Sequence, residues 1–351
     1  MRLAVLAILF ATLATVLAWA QNKTYEDLKQ VPGFTQKIQM GSVKPINNAE
    51  YIATSEAEIP DNAWVIGVVH DGKARAYSMN LLFNHNVVNE AGYSLFWDPI
   101  GNVASVYERK VDGVDLTFMA SGGVLHGAMV FLDKETQSFW AGLNGRALVG
   151  PHEGKTLTRM PIAQKTIFGD WKKRHPDTTV MAIQGQNHTD RNPLQGFVLA
   201  KQPFEPPVKE NKAFPAKMPT YTFYQDGKPY GITFSSIGIG WAGKAGSSKV
   251  FVWRPGKAHP YLGTFAWDIG KIKLKEKNGV WRDKKLGELN PVTGKFADGT
   301  QLSPIAGVDT YWYVWTNYEP KAKALNPPRR TRSEFKTEER GLGADDPFAR
   351  Q

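Results

Sequence analysis

Read from the N-terminus, the hydrophobic positions first run together and then alternate. Residues 1–20 (MRLAVLAILFATLATVLAWA) carry one charge, Arg2, and close on Ala18-Trp19-Ala20. That small-x-small ending is the pattern of a signal peptidase site, so 1–20 reads as a signal peptide with Gln21 as the mature N-terminus. The competing reading is a retained anchor, because the run nearly reaches the ~20 residues that span a bilayer. No later run approaches that length. The expectation is an exported protein, periplasmic or extracellular, with no transmembrane segment once mature.

After residue 20 the pattern becomes short alternating runs cut by turns. Asp71-Gly72, Asp112-Gly113, Asp226-Gly227 and Asn278-Gly279 each separate two strand-like segments. Such pairs favour type I′ hairpins because both central residues need positive φ. They predict hairpins of Trp64–Val69 with Lys73–Tyr77, and of Ser105–Lys110 with Val114–Met119. Lys271–Lys277 alternates Lys with Ile and Leu before turning into Val280–Arg282. Its lysines suit a charge-protected edge strand or an anion ladder. Helical periodicity is scarce. It predicts Asn80–Glu90, with Leu81, Leu82 and His85 on one face, then Thr166–Arg174 and Thr310–Tyr318. The fold class is α+β, β-rich, with few short helices.

A repeat organises these elements. Gly154, Leu157, Thr166, Trp171 and Pro176 recur as Gly299, Leu302, Thr310, Trp315 and Pro320. Asp71-Gly72-Lys73 recurs as Asp226-Gly227-Lys228, and Trp97-Asp98-Pro99 as Trp253-Arg254-Pro255. The shared order predicts an internal duplication into two similar β-rich halves, 21–200 and 219–320. Residues 201–218, rich in Pro, Lys and Glu, read as a linker, and 321–351 as a charged, disordered tail open to a protein partner.

Composition narrows the chemistry. The 351 residues include no Cys, which excludes disulfides, thiol catalysis, Cys-ligated zinc and iron–sulfur clusters. The formal charge of +10 identifies no partner by itself, and nothing points to nucleic acid. Gly238-Ile239-Gly240-Trp241-Ala242-Gly243 has dinucleotide-fingerprint spacing, but a strand-like run follows where a helix would have to start. No Gly-x-Ser-x-Gly, His-Glu-x-x-His or phosphate-loop motif occurs. The 11 tryptophans could stack on sugars, although Trp140, Trp171 and Trp315 read as core.

Asp71–Tyr77 with Phe83–Glu90, Phe131–Trp140, Gly145–Pro151 and Trp171…His175-Pro176-Asp177-Thr178 resemble, in order, exported bacterial proteins of the domain of unknown function 3179 family. The likeness is fullest over about 60–182 and fainter in the second half. The resemblance implies a Cys-Pro-x-Cys-Gly segment where this chain has Phe96-Trp97-Asp98-Pro99-Ile100-Gly101: the glycine is kept and both thiols are gone. A redox or metal centre built on those thiols could not run here. The expected remnant is one pocket lined by His85, Asn89, Trp97, Asp98, Ser121 and His126, with Phe118–His126 returning beside Phe96–Pro99. If His85, His126 and Asp98 converged, they could hold one divalent metal. The functional expectation is a non-catalytic ligand-binding or cell-surface assembly protein. The alternatives are a histidine-based metal-handling protein or enzyme at the same pocket, and a polysaccharide binder using exposed Trp.

Overall fold

The computed structural model describes residues 24–47, 49–160, 163–190, 196, 200, 202–208, 211–255 and 263–326. The signal segment 1–20 and the tail from 327 lie outside the described residues.

The first hairpin forms where the turn chemistry demands it. Trp64–His70 pairs with Lys73–Ser78 through Asp71 and Gly72, at φ 48° and 72°. Gln164–Ile167 adds antiparallel to Trp64–His70, Thr179–Ala182 adds parallel to Lys73–Ser78, and Glu50–Ala53 closes the far edge. The helix Phe168–Arg174 carries the chain between the strands Gln164–Ile167 and Thr179–Ala182. It starts later than the periodicity predicts, because Thr166 and Ile167 are held in the ladder opposite Val65 and Trp64.

A four-stranded sheet lies next to it, in the order Ile46–Asn47, Val87–Asn89, Tyr93–Asp98, Val103–Glu108. Here the predicted helix Asn80–Glu90 shrinks to Met79–Leu82, capped by Ser78. Asn86 takes φ 59°, and Val87 and Val88 leave the helical path to pair with Phe96 and Leu95. Their β-branched side chains suit the pleated surface better than a helix. Leu95 and Trp97 pack towards the first sheet, among Ile66, Tyr77 and Met181. Phe96 packs on the opposite face, 4.2 Å from Phe131 and 5.1 Å from Phe118.

Phe118 and Phe131 belong to a third sheet, ordered Phe34–Gln36, Phe118–Leu125, Ala128–Asp133, Phe139–Ala141, Ala147–Val149. The segment Phe118–His126 lies against Phe96 from a separate sheet, with Phe118 5.1 Å from Phe96. The strands sit in separate sheets packed face to face, because Phe118–Leu125 pairs with Phe34–Gln36 and Ala128–Asp133 instead. The Asp112-Gly113 turn joins strands of only two residues each, Lys110–Val111 and Val114–Asp115.

The second half presents the same kinds of layer. Its first sheet runs Gly307–Tyr311, Pro219–Gln225, Lys228–Thr233, Lys323–Ala324, and the helix Trp312–Tyr318 connects its two outer strands. Beside it lie Trp241–Ala245, Ser248–Trp253, Phe265–Asp268 and Ser303–Pro304, then a meander from Lys275–Lys277 to Lys295–Phe296. Of the Lys271–Lys277 run only Lys275–Lys277 is a strand, at the exposed edge of that meander. A core cluster joins the halves: Val103, Ala128 and Leu143 pack with Tyr311–Trp315, Phe214 and Met218. Phe214 and Met218 thus bury the end of the predicted linker.

Candidate site at the altered cysteine segment

The strand Tyr93–Asp98 ends in a turn that its last side chain organises. Asp98 is 1% exposed. Its Oδ1 accepts from the amides of Ile100 at 2.9 Å and Gly101 at 3.0 Å, and its Oδ2 accepts from the Met129 amide at 2.8 Å. Burial pushes the carboxyl up to about 6, against the pull of the three amides. A methyl group at Gly101 would lie 2.8 Å from Asp98 Oδ2 and 3.2 Å from the Gly127 carbonyl, so the tight approach requires glycine there.

The opposite wall is the turn between Phe118–Leu125 and Ala128–Asp133. His126 sits in it at φ 52°, its ring against Gly33 and 5.6 Å from the Tyr318 ring, edge-on. Burial lowers the His126 imidazole from its usual range, and its Nδ1 has no hydrogen-bond partner. The helix Trp312–Tyr318 closes the site from the other half. Asn317 Nδ2 donates to the His126 carbonyl at 3.3 Å, and Tyr313 packs against Gly127. Burial holds the Tyr318 phenol far above its ordinary range, with the Asp98 charge adding to the effect. Two further side chains clamp the loop: Thr310 Oγ1 donates to the Gly101 carbonyl at 2.7 Å, and Lys165 Nζ donates to Asn102 O at 2.9 Å and Oδ1 at 3.0 Å.

The six expected residues separate in this geometry. Asp98 and His126 lie on adjoining turns, and Tyr318 lies near both. Trp97 points to the other face of its strand, into the core against the first sheet. Asn89 is spent inside the fold: its Nδ2 donates to Asn47 Oδ1 and Phe118 O, and its Oδ1 accepts from Ser94 and Phe118 N. Ser121 donates to Val130 O at 2.7 Å and accepts from the Gly123 amide. His85 Nδ1 lies 3.0 Å from the Lys44 carbonyl. Among the described residues no three His, Asp or Glu gather to hold a metal, so His85, His126 and Asp98 do not form the expected three-ligand set. Nor is any described tryptophan exposed; Trp241, Trp253 and Trp281 are half-buried. The residues missed by sequence reasoning, Tyr313, Asn317, Tyr318 and Lys165, come from near the repeat positions Thr166, Thr310 and Trp315, which were the one signal that could have found them.

The family model described as "Protein of unknown function (DUF3179)" matches residues 42–322, and so spans both halves. The chain belongs to the DUF3179 family. No curated protein and no solved structure matches it.

Two segments that carry the DUF3179 resemblance are bracing elements in this fold. Asp133 accepts from the Thr136 amide at 2.6 Å, from Thr136 Oγ1, and from Trp140 Nε1 at 2.7 Å, while Gln137 turns at φ 59°. Trp171 Nε1 donates to Thr178 Oγ1 at 2.8 Å, tying the helix Phe168–Arg174 to the strand after it. In this DUF3179 chain neither Asp133 nor Trp171 is left free to bind anything else.

Proposed function

We propose that this protein is exported and acts without catalysis, as a binding or assembly component of the cell envelope. One observation carries the reading: at the segment where the resemblance implies paired thiols, Asp98 spends its carboxylate on the amides of Ile100, Gly101 and Met129. A carboxylate engaged in this way stiffens a loop and is poorly placed to exchange protons with a substrate. Asn89 and Ser121 are consumed likewise, and the absence of cysteine removes the thiol alternative. Export rests on the apolar run ending in Ala18-Trp19-Ala20.

We propose further that the two halves descend from one duplicated unit. The support is the shared strand order with its one parallel pairing, Thr179–Ala182 on Lys73–Ser78 and Lys323–Ala324 on Lys228–Thr233. Ser78 and Thr233 cap the equivalent short helices, accepting from Leu81 N and Ser236 N.

Fractionation and complementation test the functional reading together. The protein should be recovered outside the cytoplasm, beginning at Gln21. His85→Gln and His126→Gln variants that fold should restore whatever a gene deletion removes. Folded, exported variants that fail to complement would return a chemical role to these histidines.

A further inference from the structure

In the first half, the corner behind the Asp71-Gly72 turn is filled from within. Arg75 Nη1 donates to Glu90 Oε2 at 2.6 Å, and the Tyr51 hydroxyl donates to the other Glu90 oxygen. The Tyr77 and Tyr93 hydroxyls lie 2.6 Å apart, and the Arg75 guanidinium covers the Tyr51 ring at 4.4 Å. Tyr51 arrives on Glu50–Ala53, the fifth strand, which lies antiparallel to Thr179–Ala182.

The second half builds the same corner without filling it. Strand register gives the correspondences. Tyr230 pairs with Lys323 as Arg75 pairs with Thr179. Counted from the hairpin turns, Ala245 pairs with Ser248 where Glu90 bonds Tyr93, and Lys244 pairs with Lys249 where Asn89 pairs with Ser94. Thus Tyr230 replaces Arg75, Lys323 replaces Thr179, Ala245 replaces the internal glutamate, Lys244 takes the place of Asn89, and Lys228 keeps the place of Lys73. Among the described residues the sheet ends on Lys323–Ala324, with no fifth strand.

What results is a groove of about 520 Å³ whose lining includes Lys228, Lys244, Lys323, Tyr230 and Leu325. All three lysines are exposed. The carboxylate in the lining, Asp226, is engaged: its Oδ2 accepts from the Ser247 amide at 2.6 Å and hydroxyl at 2.5 Å. Three lysines from three separate chain segments therefore line one groove, in a corner that has alanine at the place of Glu90 and, among the described residues, no fifth strand. The surrounding field has the same sign, since residues 219–326 hold 15 Lys and Arg against 8 Asp and Glu.

We propose that this groove binds an extended, carboxylate-rich peptide segment of a partner. The segment adds as a fifth strand beside Lys323–Ala324 and places an acidic side chain among Lys228, Lys244 and Lys323. Main-chain pairing at the open edge supplies affinity, and the lysine triad supplies selectivity for acid over base. The proposal goes beyond the assembly reading, because it rests on this groove and uses nothing of the Asp98 loop.

The test titrates the full chain with a synthetic peptide of residues 49–58, which carries three glutamates and includes the first half's own edge strand. The same peptide with glutamine in place of glutamate is the control, and citrate is the small-anion arm. The acidic peptide should bind saturably, less tightly at high salt. Binding should weaken by at least about tenfold in the glutamine control and in Lys244→Glu/Lys323→Glu. Lys244→Gln/Lys323→Gln, checked for fold by circular dichroism, should lie between. Equal binding of both peptides, binding by neither, or indifference to charge reversal in a folded variant overturns the proposal. Saturable citrate binding that the peptide does not displace would also overturn it, in favour of a small anion. None of these results bears on whether the Asp98 loop is catalytic.

Discussion

Lys165 and Asp309 hold the same position on the edge strands of the two halves' first sheets, and each titrates in the field of the other. Lys165 lies opposite Ile66, two residues before the end of its strand, which the helix Phe168–Arg174 follows; Asp309 lies opposite Tyr221, two residues before the end of its strand, which the helix Trp312–Tyr318 follows. Both are buried. Burial lowers the Lys165 amine to about 8 while Asp309 pulls it upward, and burial raises the Asp309 carboxyl while Lys165 pulls it down.

Removing one member of such a pair leaves the other buried and less compensated. Lys165→Met should destabilise the protein by about 1–3 kcal/mol, since it also leaves the Asn102 acceptors unpaired. Asp309→Asn should also destabilise it. The double variant should lose less than the sum of the two, with a coupling of about 0.5–3 kcal/mol in a denaturant-unfolding cycle. Strictly additive losses would mean that the two charges do not interact.

Asp98 predicts a pH dependence of definite sign. Its carboxyl is raised from an ordinary 3.8 to about 6 in the folded chain. Between those values the folded state binds more protons than the unfolded state, so the Asp98 contribution to stability falls as pH rises from 4 to 6. The cost is fully present above about 6 and relieved below about 4. In thermal melts across this window, wild type should gain on Asp98→Asn as the pH is lowered. A constant difference would show that the carboxyl titrates normally.

Trp171 lies over Gly67, and a methyl group at Gly67 would overlap its ring. Trp171→Ala should cost about 3–5 kcal/mol in chemical denaturation, through the cavity and the loss of the bond to Thr178. Gly67→Ala should also destabilise, because the ring is locked in place by that bond and cannot withdraw freely. Trp171→Phe should be milder than Trp171→Ala.

Asp133→Asn keeps the shape of the side chain and changes its hydrogen-bonding sense. With Oδ1 still accepting from Thr136, the new amide would face the Trp140 Nε1 donor. Leaving that buried donor unpaired should cost about 1–3 kcal/mol, read from tryptophan-monitored unfolding. An unchanged midpoint would remove Asp133 as a bracing residue.

Local chemistry sets the turns. Asp71, Asp112, Asp226 and Asn278 all take φ between 48° and 55°, as expected of Asx-Gly pairs, because that backbone requirement is met within two residues. Composition is equally direct: without cysteine the site cannot contain a thiol, whatever the fold. Elements that depend on a distant partner were not legible. Asn80–Glu90 has a helix-like face, yet Val87 and Val88 pair with Phe96 and Leu95, and the ladder outweighs weak local propensity. Trp97 and Asp98 are neighbours in the chain but point to opposite faces of a strand, so the pocket drawn through both separates. The groups that clamp the Asp98 loop, Met129, Lys165 and Thr310, come from 31 to 209 residues away. Hydrogen bonds and charge pairs of that kind exist only once sheets from both halves have packed, and that packing decided which polar residues are bracing and where an open groove remains.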